Sequence, residues 1–252
     1  MFMIDCLKYD LHTHSQFSDG RSSIKDMINA AQSNGLEGFV LADHVFSDEN
    51  AEKLLEDYKN VDRAKSPIRI VFGCEAAVKD LSGAPCVKEK LLHQFELVLM
   101  DFNYILFNQL GKSGASAETL RDQLCEAVFK AASRPEVKIL AHPFNFGLQP
   151  LNLHLKMFDN ARIGKIAEEC VRCGKVIEIM NQMYFWNSNL PFEEFHREYC
   201  RILSVFKEAG AMFSAGSDTH SCCGIGCLIW SGKVIEELGL QGRLYLPEAF
   251  RR

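Results

Sequence analysis

The sequence has no apolar run near the roughly 20 residues that a membrane-spanning helix needs; stretches such as Leu97-Val98-Leu99-Met100 break off after a few positions. It also lacks a basic stripe. Its 28 Lys and Arg are dispersed among 33 Asp and Glu for a net charge of -5, which leaves no extended electrostatic footprint for nucleic acid. A small or end-on nucleotide remains open as a substrate, because divalent cations could neutralise its phosphate. No basic and apolar leader opens the chain, since Met1-Phe2-Met3-Ile4 runs directly into Asp5, and a cytoplasmic protein is expected. There is no internal repeat, low-complexity tract or linker-like shift in composition, so one domain is expected over residues 1–252. Disulfide-framework spacing is missing too. The 10 cysteines are scattered through strand and helix patterns and read as reduced thiols. Cys170 with Cys173, and Cys222-Cys223 with Cys227, each lack the second pair that a structural zinc would need.

What is present is an alternation of short apolar runs with longer helical patterns. Runs at 6–11, 38–42, 68–74, 95–100, 104–107, 137–141, 175–180 and 211–215 read as strands. Between them, helices are predicted from a Ser22 or Ser23 cap to Asn34-Gly35, over 49–65, from about 116 to 133, over 162–173 with Gly174 behind it, and over 192–209 stopped by Gly210. Residues 79–90 read as a turn-rich excursion. The alternation implies an α/β fold, and a strand count closer to seven than eight implies an irregular, TIM-like (β/α)7 barrel. Pro143 is expected to end its strand and to hold His142 in an extended approach.

Chemistry gathers where the strands end. His12 and His14 are two apart, so on a strand their imidazoles leave one face, as a metal-ligand pair would. Asp19 follows in the next loop. His44, Glu75 and His142 close later strands, and Asp218 with His220 repeats the spacing of two. Barrel active sites are built at the carboxyl ends of strands, and eight ionisable groups there are too many for one four-coordinate zinc. They suit two or three divalent ions (zinc, manganese or iron) with Glu75 as the bridging carboxylate. No Ser or Cys stands beside a paired base as a covalent nucleophile.

The motifs Asp10-Leu11-His12-Thr13-His14 with Ser18-Asp19-Gly20, Ala42-Asp43-His44, Gly73-Cys74-Glu75, Ala141-His142-Pro143 and Ser217-Asp218-Thr219-His220 resemble those of the PHP (polymerase and histidinol phosphatase) metallohydrolases, in the same order. The resemblance covers residues 8–221 and implies a distorted (β/α)7 barrel of PHP type. It implies that His12, His14, Glu75 and Asp218 hold a first metal, Glu75 and His142 a second, and Asp19, His44 and His220 a third. The expected catalytic set is Glu75, His44, Asp218 and His220. Aspartate at position 19, where the histidinol-phosphatase branch commonly has histidine, resembles the nucleotide or RNA phosphoesterase branch.

One feature departs from the family pattern. Leu110 stands in the apparent place of a further second-metal histidine, with His93 and Glu96 as nearby substitutes. Glu178 and Asn181 are candidates for the pocket or for hydrogen bonds that support His142, and Arg197 for phosphate binding. Tyr184, Phe185 and Trp186 form an aromatic loop able to stack on a ring or to cover the barrel mouth. The leading expectation is a metal-dependent phosphoesterase acting on a small phosphomonoester or nucleotide through metal-activated water. The alternatives are a histidinol-phosphate phosphatase, a non-catalytic metal-binding protein with a degenerate second site, and a C–N hydrolase.

Overall fold

The computed structural model describes residues 5–145, 153–187 and 190–251. Its strands are β1 (Tyr9–Thr13), β2 (Gly38–Leu41), β3 (His44–Val45), β4 (Arg69–Ala77), β5 (Leu97–Asp101), β6 (Ile139–Leu140), β7 (Val176–Met180) and β8 (Met212–Gly216). All the named strand pairs are parallel, in the order β1-β2-β4-β5-β6-β7-β8, with β3 resuming the line of β2 to pair with β4. The result is a nearly closed seven-stranded barrel interleaved with helices. β1 and the segment after β8 are joined by backbone bonds from Asp218 N–H to the His12 carbonyl and from His14 N–H to the Thr219 carbonyl, each 2.9 Å. The residues at this seam are themselves candidate ligands.

The helices are α1 (Ile24–Ser33), α2 (Asp48–Lys59), α3 (Glu89–Leu92), α4 (Leu106–Lys112), α5 (Ala117–Ala132), α6 (Asn160–Arg172), α7 (Phe192–Ala209) and α8 (Ile229–Glu237). Ser23, Ser47, Ser116 and Asp159 cap α1, α2, α5 and α6, each side-chain oxygen taking a backbone N–H of the first turn. Gly210, at φ 99°, ends α7 in the left-handed region that glycine enters at little cost. Among the described residues no helix is long and apolar enough to cross a membrane.

Two apolar clusters hold the layers together. The larger lies between strands and helices and includes Phe39, Met100, Leu124, Ile163 and Phe206, all fully buried. Burial of each such side chain contributes about 1.5–3 kcal/mol. The smaller fills the barrel, with Tyr9, Leu11, Val40, Val71, Leu97, Leu99, Ile139 and Val176 from successive strands. Phe250 plugs its lower end, stacked on Tyr9 at 4.7 Å.

Three expectations need correction. Residues 104–107 form no strand: the Asp101 carboxylate takes the N–H groups of Asn103 (2.9 Å) and Tyr104 (3.1 Å), turning the chain into α4. Leu106, Phe107 and Leu110 then bury one face of that helix. The helix over 49–65 stops at Lys59, and 63–65 form a separate 3-10 turn. His142 is not extended: it sits at φ 48°, and its N–H turns back to the Leu140 carbonyl at 3.0 Å. Proline at 143 disfavours the right-handed helical region for His142, but it does not prevent this tight reversal.

Candidate metal centre

Side-chain alternation along the strands places apolar groups low in the barrel and ionisable groups at its upper rim. On β4, Glu75 lies four residues beyond Val71. On β5, Asp101 lies two beyond Leu99, and on β7 Glu178 lies two beyond Val176. On β1 the pairing register shifts between Asp10 and Thr13, and this irregularity brings His12 inward beside Leu11. Asp10 fixes the neighbourhood, its buried carboxylate accepting the N–H groups of Ser217 (2.9 Å) and Gly226 (2.8 Å). Asp218, at φ 53°, and His142 are the two described non-glycine residues with positive φ. Such backbone costs of order 1–3 kcal/mol each and collects at functional sites.

Glu75 is the hub. Its Oε2 lies 2.9 Å from His44 Nδ1, 3.4 Å from His12 Nε2 and 3.6 Å from His14 Nε2, and its Oε1 lies 3.2 Å from His142 Nε2. His14 Nε2 is 3.0 Å from both His12 Nε2 and Asp218 Oδ1. Asp19 is half-exposed at the mouth, 3.3 Å from His220 Nε2 and 3.7 Å from His44 Nε2. Three groups thus form, each with ligand atoms within 4.8 Å of one another: His12/Glu75/His142, His12/His14/Asp218 and His14/Asp19/His44/His220. Ligands bound about 2.1 Å from a shared ion stand at separations of this order.

The donor set suits cations. Both Glu75 oxygens, both His44 ring nitrogens and Glu178 Oε2 are buried without a hydrogen-bond partner. An orphaned buried polar atom costs about 1–3 kcal/mol, and more when charged. In the chain alone, burial works against charging His44 and His142, but the surrounding carboxylates, Glu75 foremost, together outweigh it and hold them at about 9 and about 10. His14 goes the other way, down to about 4, through burial and the neighbouring His44. Burial opposes charge on Glu75 and on Asp218. Both are nevertheless held well below the ordinary carboxylate range, with His12 the largest opposing influence. A carboxylate–imidazole cage of this kind can hold two or more divalent ions.

Support comes from behind. Glu178 Oε1 is 2.7 Å from His12 Nδ1, which points His12 Nε2 at the centre. Its other oxygen is 3.9 Å from His142 Nε2, so the histidine it supports is His12 rather than the expected His142. Gly216 makes this possible, since a Cβ there would fall on the Glu178 carboxylate and on the His12 Cβ. His220 Nδ1 faces the Asp218 carbonyl at 3.2 Å, leaving Nε2 for the centre.

Other expected residues lie elsewhere. His93 is exposed and pairs with Glu89, while Glu96 precedes β5 and pairs with Arg63, so neither joins the centre. Leu110 is packed in the core on α4 and occupies no ligand position. Asn181 accepts the N–H groups of Trp230 (2.8 Å) and Ser231 (3.2 Å) at the start of α8. Arg197 is exposed beside Glu198. The residue that strand-end reasoning passed over is Asp101. It is buried, and burial, reinforced by Glu75, lifts its pKa to about 6. It shares with Glu75, His142, Asp218 and His220 a cavity of about 190 Å³ that Trp186 also lines. The alternation Leu97, Leu99, Asp101 was the signal for it.

A separate group of His196, Cys200 and Glu237 reads as a hydrogen-bond relay. Trp230 Nε1–H donates to His196 Nδ1 (3.2 Å), which leaves the ring proton on Nε2, facing Glu237 at 2.9 Å. A protonated Nε2 is not a metal ligand.

Comparison with known proteins places these observations. A family model described as the PHP domain matches residues 10–212. A protein of Acetivibrio thermocellus named "Probable phosphatase" is 27% identical over 94% of this chain and 89% of its own length. One of the same name from Tolumonas auensis is 26% identical over 91% of this chain and 85% of its own. Among solved structures, a histidinol phosphate phosphatase from Lactococcus lactis, complexed with zinc, L-histidinol and phosphate, aligns with a TM-score of 0.70 at 16% identity. That alignment covers 92% of this chain and 94% of the other.

Proposed function

The chain belongs to the PHP domain family, and on that premise we propose that it is a metal-dependent phosphoesterase that hydrolyses a small phosphomonoester. The observation that carries this reading is Glu75: a buried carboxylate, neither oxygen hydrogen-bonded, with ring nitrogens of His12, His44 and His142 within 3.4 Å. The relatives named as probable phosphatases support the same reaction class.

In this reading Glu75 with His12, His14 and Asp218 would hold one ion, Glu75 with His142 a second, and Asp19, His44 and His220 a third. Divalent ions held there would polarise a phosphoryl oxygen and acidify a water, which is the chemistry that ester hydrolysis needs. The protein's own residues do the rest. Glu178 fixes the His12 ring, and the Asp218 carbonyl fixes that of His220. The rings of His44 and His220 each lie 4.3 Å from that of His14 and 5.9 Å from each other, so the three imidazoles pack as one group that holds their orientations. Asp19 and His220 are the open part of the set, and Glu75, His12 and His14 the water-excluding part.

Size supports the smaller substrate. A cavity of about 190 Å³ is below the roughly 300–1,000 Å³ of pockets that enclose larger ligands. A small monoester therefore fits better than a whole nucleotide.

Protein reconstituted with manganese, zinc or iron is assayed for phosphate release from a panel of phosphomonoesters and phosphodiesters. Divalent-dependent turnover of small monoesters is expected. Full metal occupancy with no release from any member would point instead to a non-catalytic metal-binding protein.

A further inference from the structure

The cavity over the centre has a wall that the metal chemistry leaves unused. Beyond the ligand residues it is lined by Asp101, Asn103, Tyr104, Asn145 and Trp186. Asn103 and Asn145 are 3% and 2% exposed, and the side-chain oxygen of each is buried without a hydrogen-bond partner. Both amides are placed by strand-ending turns: Asn103 N–H is bound by Asp101 at 2.9 Å, and Asn145 N–H by the His142 carbonyl at 3.2 Å. Buried amide oxygens without partners call for a hydrogen-bond donor or a cation from outside the chain, and an ammonium is both. A water can supply it, but a ligand that displaces that water without offering its own donor loses those bonds. The charge of the wall points the same way. It carries one carboxylate and two half-buried aromatic rings, and no lysine or arginine is among its described lining residues. Aromatic rings attract ammonium groups, and this wall, away from the histidines, offers no cationic side chain to pair with a second anion.

We propose that Asn103 and Asn145, with Tyr104 and Trp186, form the leaving-group subsite. They select a phosphomonoester whose alcohol presents an N–H or O–H donor, an ammonium above all, and carries no second anionic group. The inference rests on the phosphoesterase reading for its phosphoryl end, but its selectivity can be measured without turnover.

The probes are three phosphonates of matched length: 2-aminoethylphosphonate, propylphosphonate and 2-carboxyethylphosphonate. Their P–C bond resists hydrolysis, so calorimetric titration into the manganese-loaded protein reads binding alone. The amino compound is expected to bind about tenfold or more tighter than the propyl one, as for hydrogen bonds to a charged group, and the carboxyl compound weakest. Asn103→Leu with Asn145→Leu erases the preference for amino over propyl. Asn103→Asp, a near-isosteric change, widens it, and this second variant keeps the test alive if the double leucine change fails to fold. Equal affinity for all three, tightest binding of the carboxyl compound, or no binding of the amino compound where inorganic phosphate binds would each overturn the subsite. The expected order in a protein that hydrolyses no monoester would uphold the subsite and sink the proposed reaction instead.

Discussion

The two ends of the same strands treat charge in opposite ways. At the lower end, Arg69 at the start of β4 donates to the Phe250 carbonyl at 2.6 Å. Glu96, just before β5, takes the Phe72 N–H at 2.8 Å and pairs with Arg63. Lys175, ahead of β7, donates to the carbonyls of Arg134 and Val137 at 2.5 Å each. A wider open cavity of about 600 Å³ lies at this end, and its charged lining residues include Glu96 and Arg63, already engaged with each other. At the upper end of those strands stand Glu75, Asp101 and Glu178, buried, with neither Glu75 oxygen nor Glu178 Oε2 hydrogen-bonded and imidazoles crowded around Glu75. Charges matched within the chain stabilise the fold. Buried carboxylates and imidazoles that crowd together with polar atoms left unbonded lower stability, and they suit cations that the chain does not itself contain. This contrast, rather than the size of a cavity, locates the chemistry.

The contrast breaks most visibly at its hub. Glu75→Gln removes a negative charge from all the convergent histidines at once. It should cut turnover on the order of a thousandfold, the scale seen when a charge-stabilising group is lost from an active site. It should also lower the bound metal per chain, read by elemental analysis. Wild-type metal content and turnover would show that the upper-end charges are structural. Glu178→Gln sharpens the same comparison. Because Glu178 acts through His12 Nδ1, metal affinity should fall about 10–100-fold without being abolished. Competition with a chromophoric chelator measures it, and complete loss of one ion would make Glu178 a ligand in its own right.

Much of this was legible in the sequence because alternation along a strand and the position of a strand end are local properties. Seven parallel strands, and the convergence of His12, His14, Glu75, His142 and Asp218, follow from local pattern plus the rule that barrel chemistry sits at carboxyl ends. What was not legible depends on turns and distance. The aromatic run at 104–107 has strand-like composition, but the Asp101 carboxylate redirects it into a helix. That one misreading carried Leu110 to the rim and hid Asp101. His93 and Glu96 lie near the right residues in sequence and at the wrong end of β5 in space. The pairing of Glu178 with His12, across 166 positions and over Gly216, has no local signature.

A histidine at position 110 tests that misreading directly. Leu110 packs on the buried face of α4, so Leu110→His places a polar ring among apolar neighbours. Stability should fall by about 1–3 kcal/mol, as for a buried polar group without a partner. The metal content should not rise. Denaturant unfolding and elemental analysis on the same preparation separate the two. A gain of one ion per chain would return position 110 to the rim.

The smallest effect belongs to the lower end, where a charge is matched. Glu169 on α6 is bound by Arg172 at 2.6 and 2.7 Å and by the Ser133 hydroxyl. Arg172, followed by Ser133, holds its carboxyl at about 2, below the ordinary 4.5. As pH falls the unfolded chain therefore takes up the proton first, and stability is lost between about pH 4.5 and 2 while remaining complete above that window. Because Arg172 is largely exposed, the contribution is under about 1 kcal/mol. Urea midpoints of wild type and Glu169→Gln, compared from pH 6 down to 3, should converge as the pH drops, with metal content alike at the upper pH. A gap that stayed constant with pH would show that Glu169 holds α6 by packing, and matched charge would then no longer distinguish this end of the barrel from the other.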